Sequence, residues 1–231
     1  MHLNTVSNDL NNLAVLFDMD GVLVHTNPYH AKAFEAFFDR YRIPYSESEF
    51  EQHMYGKHNS YIMSYFFNRQ IDGDELLALE SEKEGLFREI YAEHAEPVAF
   101  LPEFLQDLSS HGVALGVATS APKANMDLVL DTLDLRHYFQ STLSSEDVQA
   151  HKPDPEVYLK SADRLGVNPD QCFVFEDSYS GVTAGRAAGM KVIGVLTSHR
   201  REDLPPCLDY LSDYKHFNVE KLKELQATYV G

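Results

Sequence analysis

Acidic residues and a flexible turn follow an apolar run near the start of the chain, in the segment DMDG that spans Asp18 to Gly21. Taken alone, a run that ends in Asp and Gly is equally typical of an ordinary turn. Further groups that could do chemistry stand near later apolar runs: they are Thr119 with Ser120, Lys152, and Glu176 with Asp177. A nucleophilic carboxylate, a hydroxyl, a lysine and an acidic pair are the parts of a phosphoryl-transfer site, where positioning and charge neutralisation supply most of the catalysis. The chemistry therefore requires a fold that brings these groups together.

Four short, continuously apolar runs are predicted to be the strands that carry these groups. They are AVLF at 14–17, VALGVA at 113–118, CFVF at 172–175 and KVIGVL at 191–196. Continuous rather than alternating apolarity is typical of strands covered on both faces, and helical patterns separate the runs. We therefore expect an α/β fold with a Rossmann-like parallel sheet. Because parallel sheets place ligands at the carboxyl ends of their strands, the groups are expected to meet at one edge.

Nearly a hundred residues separate the first two predicted strands, far more than one crossover helix needs. Most of this segment has helical periodicity, with an apolar stripe in its first helix that includes Phe34, Phe37, Phe38 and Tyr41. Prolines mark both of its edges and favour extended entry and exit segments. The expected organisation is a core domain of residues 1–26 and 97–231 with an inserted helical-bundle cap domain of residues 27–96.

The composition restricts the partners. The 231 residues include 19 Lys and Arg against 36 Asp and Glu, a formal charge of −17 at pH 7. Such a charge repels a nucleic-acid backbone and an anionic membrane surface, so we expect neither as a partner. It also repels a phosphorylated substrate, so a site for one needs local cations, either a metal ion or a well-placed lysine.

The sequence also indicates a location. No apolar run approaches the roughly 20 residues of a membrane span. The two cysteines, Cys172 and Cys207, need form no disulfide, which suits a reducing compartment. A cytoplasmic location is expected.

The groups occur in an order that resembles the four motifs of the haloacid dehalogenase (HAD) superfamily: DMDG, then Thr119, Lys152, and Glu176 with Asp177. This resemblance covers nearly the whole chain. More narrowly, MDGVL, HKPDPEVY and EDSYSGVTAGRAAGM are similar to the branch that contains β-phosphoglucomutases and small sugar-phosphate phosphatases, and the long insertion is similar to that branch's helical cap. The resemblance implies a HAD-like hydrolase that acts on a small phosphorylated metabolite.

The same resemblance implies catalytic roles. Asp18 would attack phosphorus and form an aspartyl phosphate, while Asp20 would protonate the leaving group and then assist the attacking water or hydroxyl. Thr119, with Ser120 beside it, would bind phosphoryl oxygens. Lys152 would bridge the nucleophile and the phosphate.

It also implies a metal site. Mg²⁺ would be held by Asp18, the backbone carbonyl of Asp20 and Asp177, with Glu176 as an outer ligand or orienting group. Zinc is disfavoured because the eleven histidines show no recognisable ligand spacing.

Candidate substrate contacts in the cap depend largely on the resemblance as well. Lys83 lies inside an apolar stripe, four residues from both Leu79 and Phe87, where a lysine either reaches into a cleft or extends its charge to water. The segment YGKHNS contains the glycine of a cap loop that helps to decide specificity in this branch, and His30 matches a hinge position where the mutases carry a histidine. The substrate-binding candidates in the cap are His30, Lys57, His58, Asn59 and Lys83.

Two positions depart from the pattern of this branch. His25 stands where an acidic residue usually occurs, and Asn59 stands approximately where the mutases place an arginine that holds the second phosphate of a sugar bisphosphate. Without that cation a bisphosphate loses a partner, so hydrolysis of a small phosphomonoester, in the first place a sugar phosphate, is preferred.

The alternatives are a β-phosphoglucomutase-type isomerase and a catalytically idle relative that binds a metabolite or a protein. Dehalogenase chemistry is disfavoured because Asp20 suits an oxygen leaving group. A monomer or weak homodimer is expected.

Overall fold

The computed structural model describes residues 12–54 and 59–228. The chain divides into two compact units, one formed by Met1–His25 with Ala95–Gly231 and the other by Thr26–His94. We call them the core unit and the helical unit. The edges expected from the sequence, at residues 27 and 96, lie one and two residues from those of the helical unit.

The core unit contains a six-stranded sheet in which every neighbouring pair is parallel. The strands are β1 (Ala14–Phe17), β2 (Ala114–Ala118), β3 (Ser141–Leu143), β4 (Cys172–Glu176), β5 (Lys191–Val195) and β6 (Asp209–Leu211). Their order across the sheet is β3-β2-β1-β4-β5-β6, so the first strand of the chain lies at the centre. The predicted α/β fold with a parallel sheet is confirmed.

Two of these strands, β3 and β6, have no counterpart among the apolar runs identified in the sequence. Each has three residues and lies at an edge of the sheet. An edge strand is not covered on both sides, so its composition need not be continuously apolar. The tripeptides STL and DYL therefore gave no signal.

Within its described residues, the helical unit contains four helices: α1 (Asn27–Tyr41), α2 (Glu47–Met54), α3 (Asn59–Phe66) and α4 (Gly73–Tyr91). Its interior is aromatic, since Phe34, Phe37 and Phe38 of α1 and Phe87 of α4 are all buried. Tyr41, the last member of the predicted stripe, is 40% exposed and donates its hydroxyl hydrogen to Glu82. A tyrosine at the end of a helix can keep its polar tip in water in this way.

In the part of the core unit that the structure describes, five α-helices accompany the sheet: α5 (Leu101–Ser110), α6 (Lys123–Thr132), α7 (Glu156–Leu165), α8 (Tyr179–Ala187) and α9 (Val219–Thr228). In the described part of the chain, no helix has the length and apolarity needed to cross a membrane.

Alternate residues of the central strands β1 and β4 pack into two different clusters. Leu16 and Val174 belong to a cluster that also contains Tyr158 and Val182, from α7 and α8. Phe17 and its neighbour Phe175 stack instead with ring centroids 5.1 Å apart, and both lie against Phe104 of α5 and Tyr214. Because successive side chains of a strand point to opposite faces, this explains the continuous apolarity of these strands.

Candidate active site

The carboxyl ends of the central strands bring together most of the predicted core site residues. Asp18 directly follows β1, Thr119 directly follows β2, and Glu176 ends β4 with Asp177 next in the chain. The strand register aligns Phe17 with Val117 and with Phe175, so these residues lie at the same level of the sheet. Asp18, Thr119, Glu176 and Asp177 are all buried.

Lys152 lies at the centre of the site. Its ammonium donates hydrogen bonds to Asp18 Oδ1 at 2.6 Å, to Glu176 Oε1 at 2.7 Å and to the backbone carbonyl of Ala118 at 2.9 Å. Three donors are all that an ammonium possesses, so each has a partner. The residue is only 7% exposed, so it is not a solvated surface lysine.

Glu176 is held through both of its carboxylate oxygens. Lys152 and the Tyr158 hydroxyl, at 2.9 Å, donate to Oε1, and the backbone amide and the hydroxyl of Ser178 donate to Oε2, each at 3.0 Å. Four donors fix the orientation of this carboxylate. It can therefore orient Lys152, which donates to one of its oxygens.

The helix after β4 is built to approach this carboxylate closely. Ser178 is the N-cap of α8, and its hydroxyl accepts a hydrogen bond from the backbone amide of Gly181 at 3.0 Å. A Cβ atom at Gly181 would overlap the Glu176 carboxylate. The small residue and the cap together bring the positive end of the helix dipole to the acidic site.

A tight turn follows Asp18. The backbone amides of Val22 and Leu23 donate to the Met19 carbonyl at 3.2 and 2.8 Å, and Gly21 has a φ of 75°. A Cβ atom at Gly21 would overlap the Asp177 carboxylate, so this position needs glycine for its space as well as its conformation. Asp20 lies in this turn and is half-buried.

Burial and mutual repulsion shape the charges of the site. Burial raises the pKa of Asp18 to about 7, against the opposing effect of Lys152. Burial, followed by the charges of Glu176 and Asp18, raises the pKa of Asp177 well above its usual range. Burial alone would lower the pKa of Lys152, but the Asp18 and Glu176 carboxylates hold it well above its usual range. With one lysine for three buried carboxylates, the site would have an excess of negative charge once all three are ionised.

This excess makes the site suitable for a cation. Asp18, Glu176 and Asp177 each offer a carboxylate oxygen, and the three atoms lie within 4.8 Å of one another. Hard divalent cations prefer carboxylate and carbonyl oxygens. The donor set therefore fits such a cation, and its charge would oppose the burial and the mutual repulsion that raise the pKa values of Asp18 and Asp177.

The remaining predicted residues of the core unit, Thr119 and Ser120, follow directly after β2. The Thr119 hydroxyl accepts a hydrogen bond from the Ala121 amide at 3.0 Å, and its own backbone amide donates to the Leu143 carbonyl. Ser120 is exposed.

Three predicted residues of the helical unit lie close together: Lys83 contacts His30, and both Lys83 and Asn59 contact Glu84. Lys83 and Glu84 form a buried ion pair with 2.8 Å between Nζ and Oε1, and Lys83 Nζ lies 2.9 Å from His30 Nδ1. The Asn59 amide reaches Glu84 Oε1 at 3.5 Å. Lys57 and His58 fall outside the described residues.

Several residues that contact the predicted site residues were not identified from the sequence. The His199 ring lies 3.0 Å from the Asp177 carbonyl, and Ser198 hydrogen bonds to the Asp177 carboxylate. Both follow a predicted strand, so the rule that identified Thr119 could also have identified them. Tyr158 and Glu84 gave no such signal, because a tyrosine or glutamate within a helix is usually explained by packing or exposure.

The sequence matches a family of known proteins over most of its length. The model of the haloacid dehalogenase-like hydrolase family matches residues 15–195. The fructose-1-phosphate phosphatase of Escherichia coli (strain K12) is 35% identical, covering 78% of this chain and 95% of its own. A β-phosphoglucomutase of Mycobacterium tuberculosis is 31% identical, covering 78% of this chain and 79% of its own.

A solved structure of the same family has a similar fold. The crystal structure of a HAD hydrolase of family IA, variant 3, from Entamoeba histolytica has a TM-score of 0.87 at 25% identity, covering 94% of this chain and 100% of its own. The chain belongs to the haloacid dehalogenase-like hydrolases, and the family predicted from the sequence is confirmed.

Proposed function

We propose that this protein is a Mg²⁺-dependent phosphatase that hydrolyses a small phosphomonoester, in the first place a sugar phosphate, through an aspartyl-phosphate intermediate. The observation that carries the proposal is the position of Lys152, whose ammonium joins Asp18 to Glu176 at the carboxyl edge of the sheet. A cation that touches a buried nucleophilic carboxylate is what attack on an anionic phosphate requires.

In the first step a carboxylate oxygen of Asp18 forms a bond to phosphorus while the bond from phosphorus to the substrate oxygen breaks. The leaving oxygen keeps the electron pair and takes a proton from Asp20, which is half-buried and so open to the substrate. Lys152 binds a phosphoryl oxygen as negative charge leaves Asp18. Thr119 donates its hydroxyl hydrogen to a second phosphoryl oxygen.

In the second step Asp20 accepts a proton from water as the water oxygen bonds to phosphorus. The bond from phosphorus to Asp18 breaks, which restores the carboxylate and releases inorganic phosphate. Asp18, the Asp20 carbonyl and Asp177 would hold Mg²⁺, with Glu176 as the orienting group. When bound, the ion supplies positive charge that neutralises phosphate oxygens and keeps the neighbouring carboxylates ionised.

The substrate class rests on the relatives. A relative with 35% identity is named as a fructose-1-phosphate phosphatase, which supports a sugar phosphate as substrate for this chain. We assign substrate selection to the helical unit as a cap, with His30, Lys57, His58, Asn59 and Lys83 as the residues to test.

A β-phosphoglucomutase-type isomerase is the second candidate, since a relative of that name is 31% identical. In such a reaction an acceptor hydroxyl replaces water in the second step, so the sugar passes through a bisphosphate. Asn59 offers that bisphosphate no positive charge, which favours hydrolysis. Activation of turnover by a catalytic amount of sugar bisphosphate would favour the isomerase.

The first experiment measures phosphate release with Mg²⁺ from a panel of sugar phosphates, other small phosphomonoesters and pyrophosphate. Asp18→Asn is expected to lower kcat about a thousandfold or more, because it removes the nucleophile. Asp134→Asn makes the same chemical change at a side chain that is 98% exposed, and it should behave as the native protein does. Unchanged turnover in Asp18→Asn would contradict the mechanism, and no release from any substrate would contradict the phosphatase.

A further inference from the structure

A buried tyrosine, Tyr158, lies beside the lysine at the centre of the site. It belongs to α7, six residues after Lys152, and it is fully buried. Its hydroxyl donates to Glu176 Oε1 at 2.9 Å, the oxygen that also accepts from Lys152 at 2.7 Å. The tyrosine hydroxyl and the ammonium therefore share one acceptor atom.

The ring of the same tyrosine also contacts the ammonium. Lys152 Nζ lies 4.8 Å from the centroid of the Tyr158 ring, within the range of a cation–π interaction. Buried cations gain more from such a contact than exposed ones do, because water does not compete for them. Tyr158 thus supports Lys152 directly through its ring and indirectly through Glu176.

The sharing of Glu176 Oε1 bears on the reaction. When phosphorus bonds to Asp18, negative charge leaves one partner of Lys152 and collects on the phosphoryl oxygens. The remaining ionic partner, Glu176, would then draw the ammonium away from the phosphate. A second donor on Oε1 offsets part of the negative charge that attracts Lys152 and keeps the carboxylate from turning.

We propose that Tyr158 is a positioning residue that keeps the Lys152 ammonium directed at the phosphoryl group, with its hydroxyl fixing Glu176 and its ring supporting the ammonium. This inference rests on the proposed phosphatase function and deepens it. The hydroxyl of Tyr158 lies on Glu176 and its ring on Lys152, so its effect passes through these two residues.

Two substitutions separate the two contributions, and a neighbour supplies the control. Tyr158→Phe removes the hydroxyl and keeps the ring, while Tyr158→Leu removes both. Val157→Ala, at a buried neighbour on the same helix, opens a cavity in the same apolar cluster without touching Lys152 or Glu176 through a polar atom. A purely structural role for Tyr158 predicts that activity follows thermal stability across all three variants.

The measurements are kcat/KM for the best phosphomonoester and the affinity for inorganic phosphate with Mg²⁺, the latter by titration calorimetry. Tyr158→Phe should lower kcat/KM and phosphate affinity about tenfold, the usual scale for a hydrogen bond to a charged group. Tyr158→Leu should lower both further. Val157→Ala should stay within about twofold of the native protein even where it unfolds at a lower temperature.

Three results would overturn the proposal: native affinity for phosphate in Tyr158→Phe, an equal loss in Val157→Ala, or no phosphate binding by the native protein. Calorimetry needs no turnover, so it separates this proposal from the phosphatase itself. A protein that binds phosphate in the expected order of variants but releases none from any phosphomonoester would contradict only the proposed function.

Discussion

At the scale of single residues, the helical unit contains a buried ion pair whose charges have lost their contact with water. Lys83 and Glu84 are 2% and 6% exposed, and Lys83 Nζ also lies 4.5 Å from the centre of the Phe34 ring. Removing water from two charges is expensive, and their attraction repays this only while both are present. The pair is therefore expected to matter far more when one member is lost than when both are replaced.

Glu84→Gln should destabilise the protein by about 3–5 kcal/mol, because it leaves the Lys83 ammonium buried without its carboxylate. The matched control is Glu82→Gln on the same helix. The Glu82 carboxylate pairs with Arg40, whose side chain is more than half exposed, so this substitution should cost about 0–1 kcal/mol. Urea unfolding monitored by circular dichroism measures both. A Glu84→Gln protein as stable as the Glu82→Gln protein would contradict this reading of the pair.

At the scale of elements, the segment that presents Lys152 is tied to the start of α7 by Glu156. Its carboxylate accepts from the Gln149 and Ala150 backbone amides, at 3.1 and 2.7 Å, and pairs with Lys160 at 2.6 Å. The Lys160 hydrogen bond and then these amides lower the pKa of Glu156 to about 2. The segment before Lys152 is thus fixed by an ionised carboxylate.

A lowered pKa means that the ionised carboxylate stabilises the folded state. The contribution is complete above the ordinary pKa of about 4.5 and is lost as the pH falls toward 2. Glu156→Gln should therefore be less stable than the native protein at pH 7, and the difference should shrink steadily between pH 4.5 and pH 2. Unfolding curves at a series of pH values measure this, and a difference that is constant with pH would contradict it.

The elements also explain how far sequence reasoning can reach. Strand-end residues such as Asp18 and Thr119 were predictable because a parallel sheet gathers the carboxyl ends of its strands at one edge. Tyr158 was not predictable as a site residue. Its role depends on how α7 is rotated about its axis, and the apolar pattern that Tyr158 shares with Val157 does not fix that rotation. The edge strands β3 and β6 were missed because three residues with mixed polarity have no periodicity to detect.

At the scale of the whole molecule, the acidic cluster predicts a link between metal binding and unfolding. A cation that binds the folded protein but not the unfolded chain stabilises it, by about 2.7 kcal/mol at a hundredfold excess over its Kd. Mg²⁺ should therefore raise the unfolding temperature of the native protein. Asp177→Asn should remove most of that increase, whereas the exposed Asp134→Asn should retain it; an equal increase in both variants would place the metal elsewhere.

The strand order has a consequence for how the chain folds during its synthesis. Strand β1 pairs with β2 and β4, so Ala14 has as its partners Ala114 and Cys172, 100 and 158 positions further along the chain. Such distant pairings are slow to form, whereas the contacts of a helical bundle are local. While a ribosome is still producing the chain, the helical unit can fold before the sheet has its central pairings. The AVLF segment stays unpaired throughout this interval, so its apolar side chains are exposed to aggregation until the sheet forms.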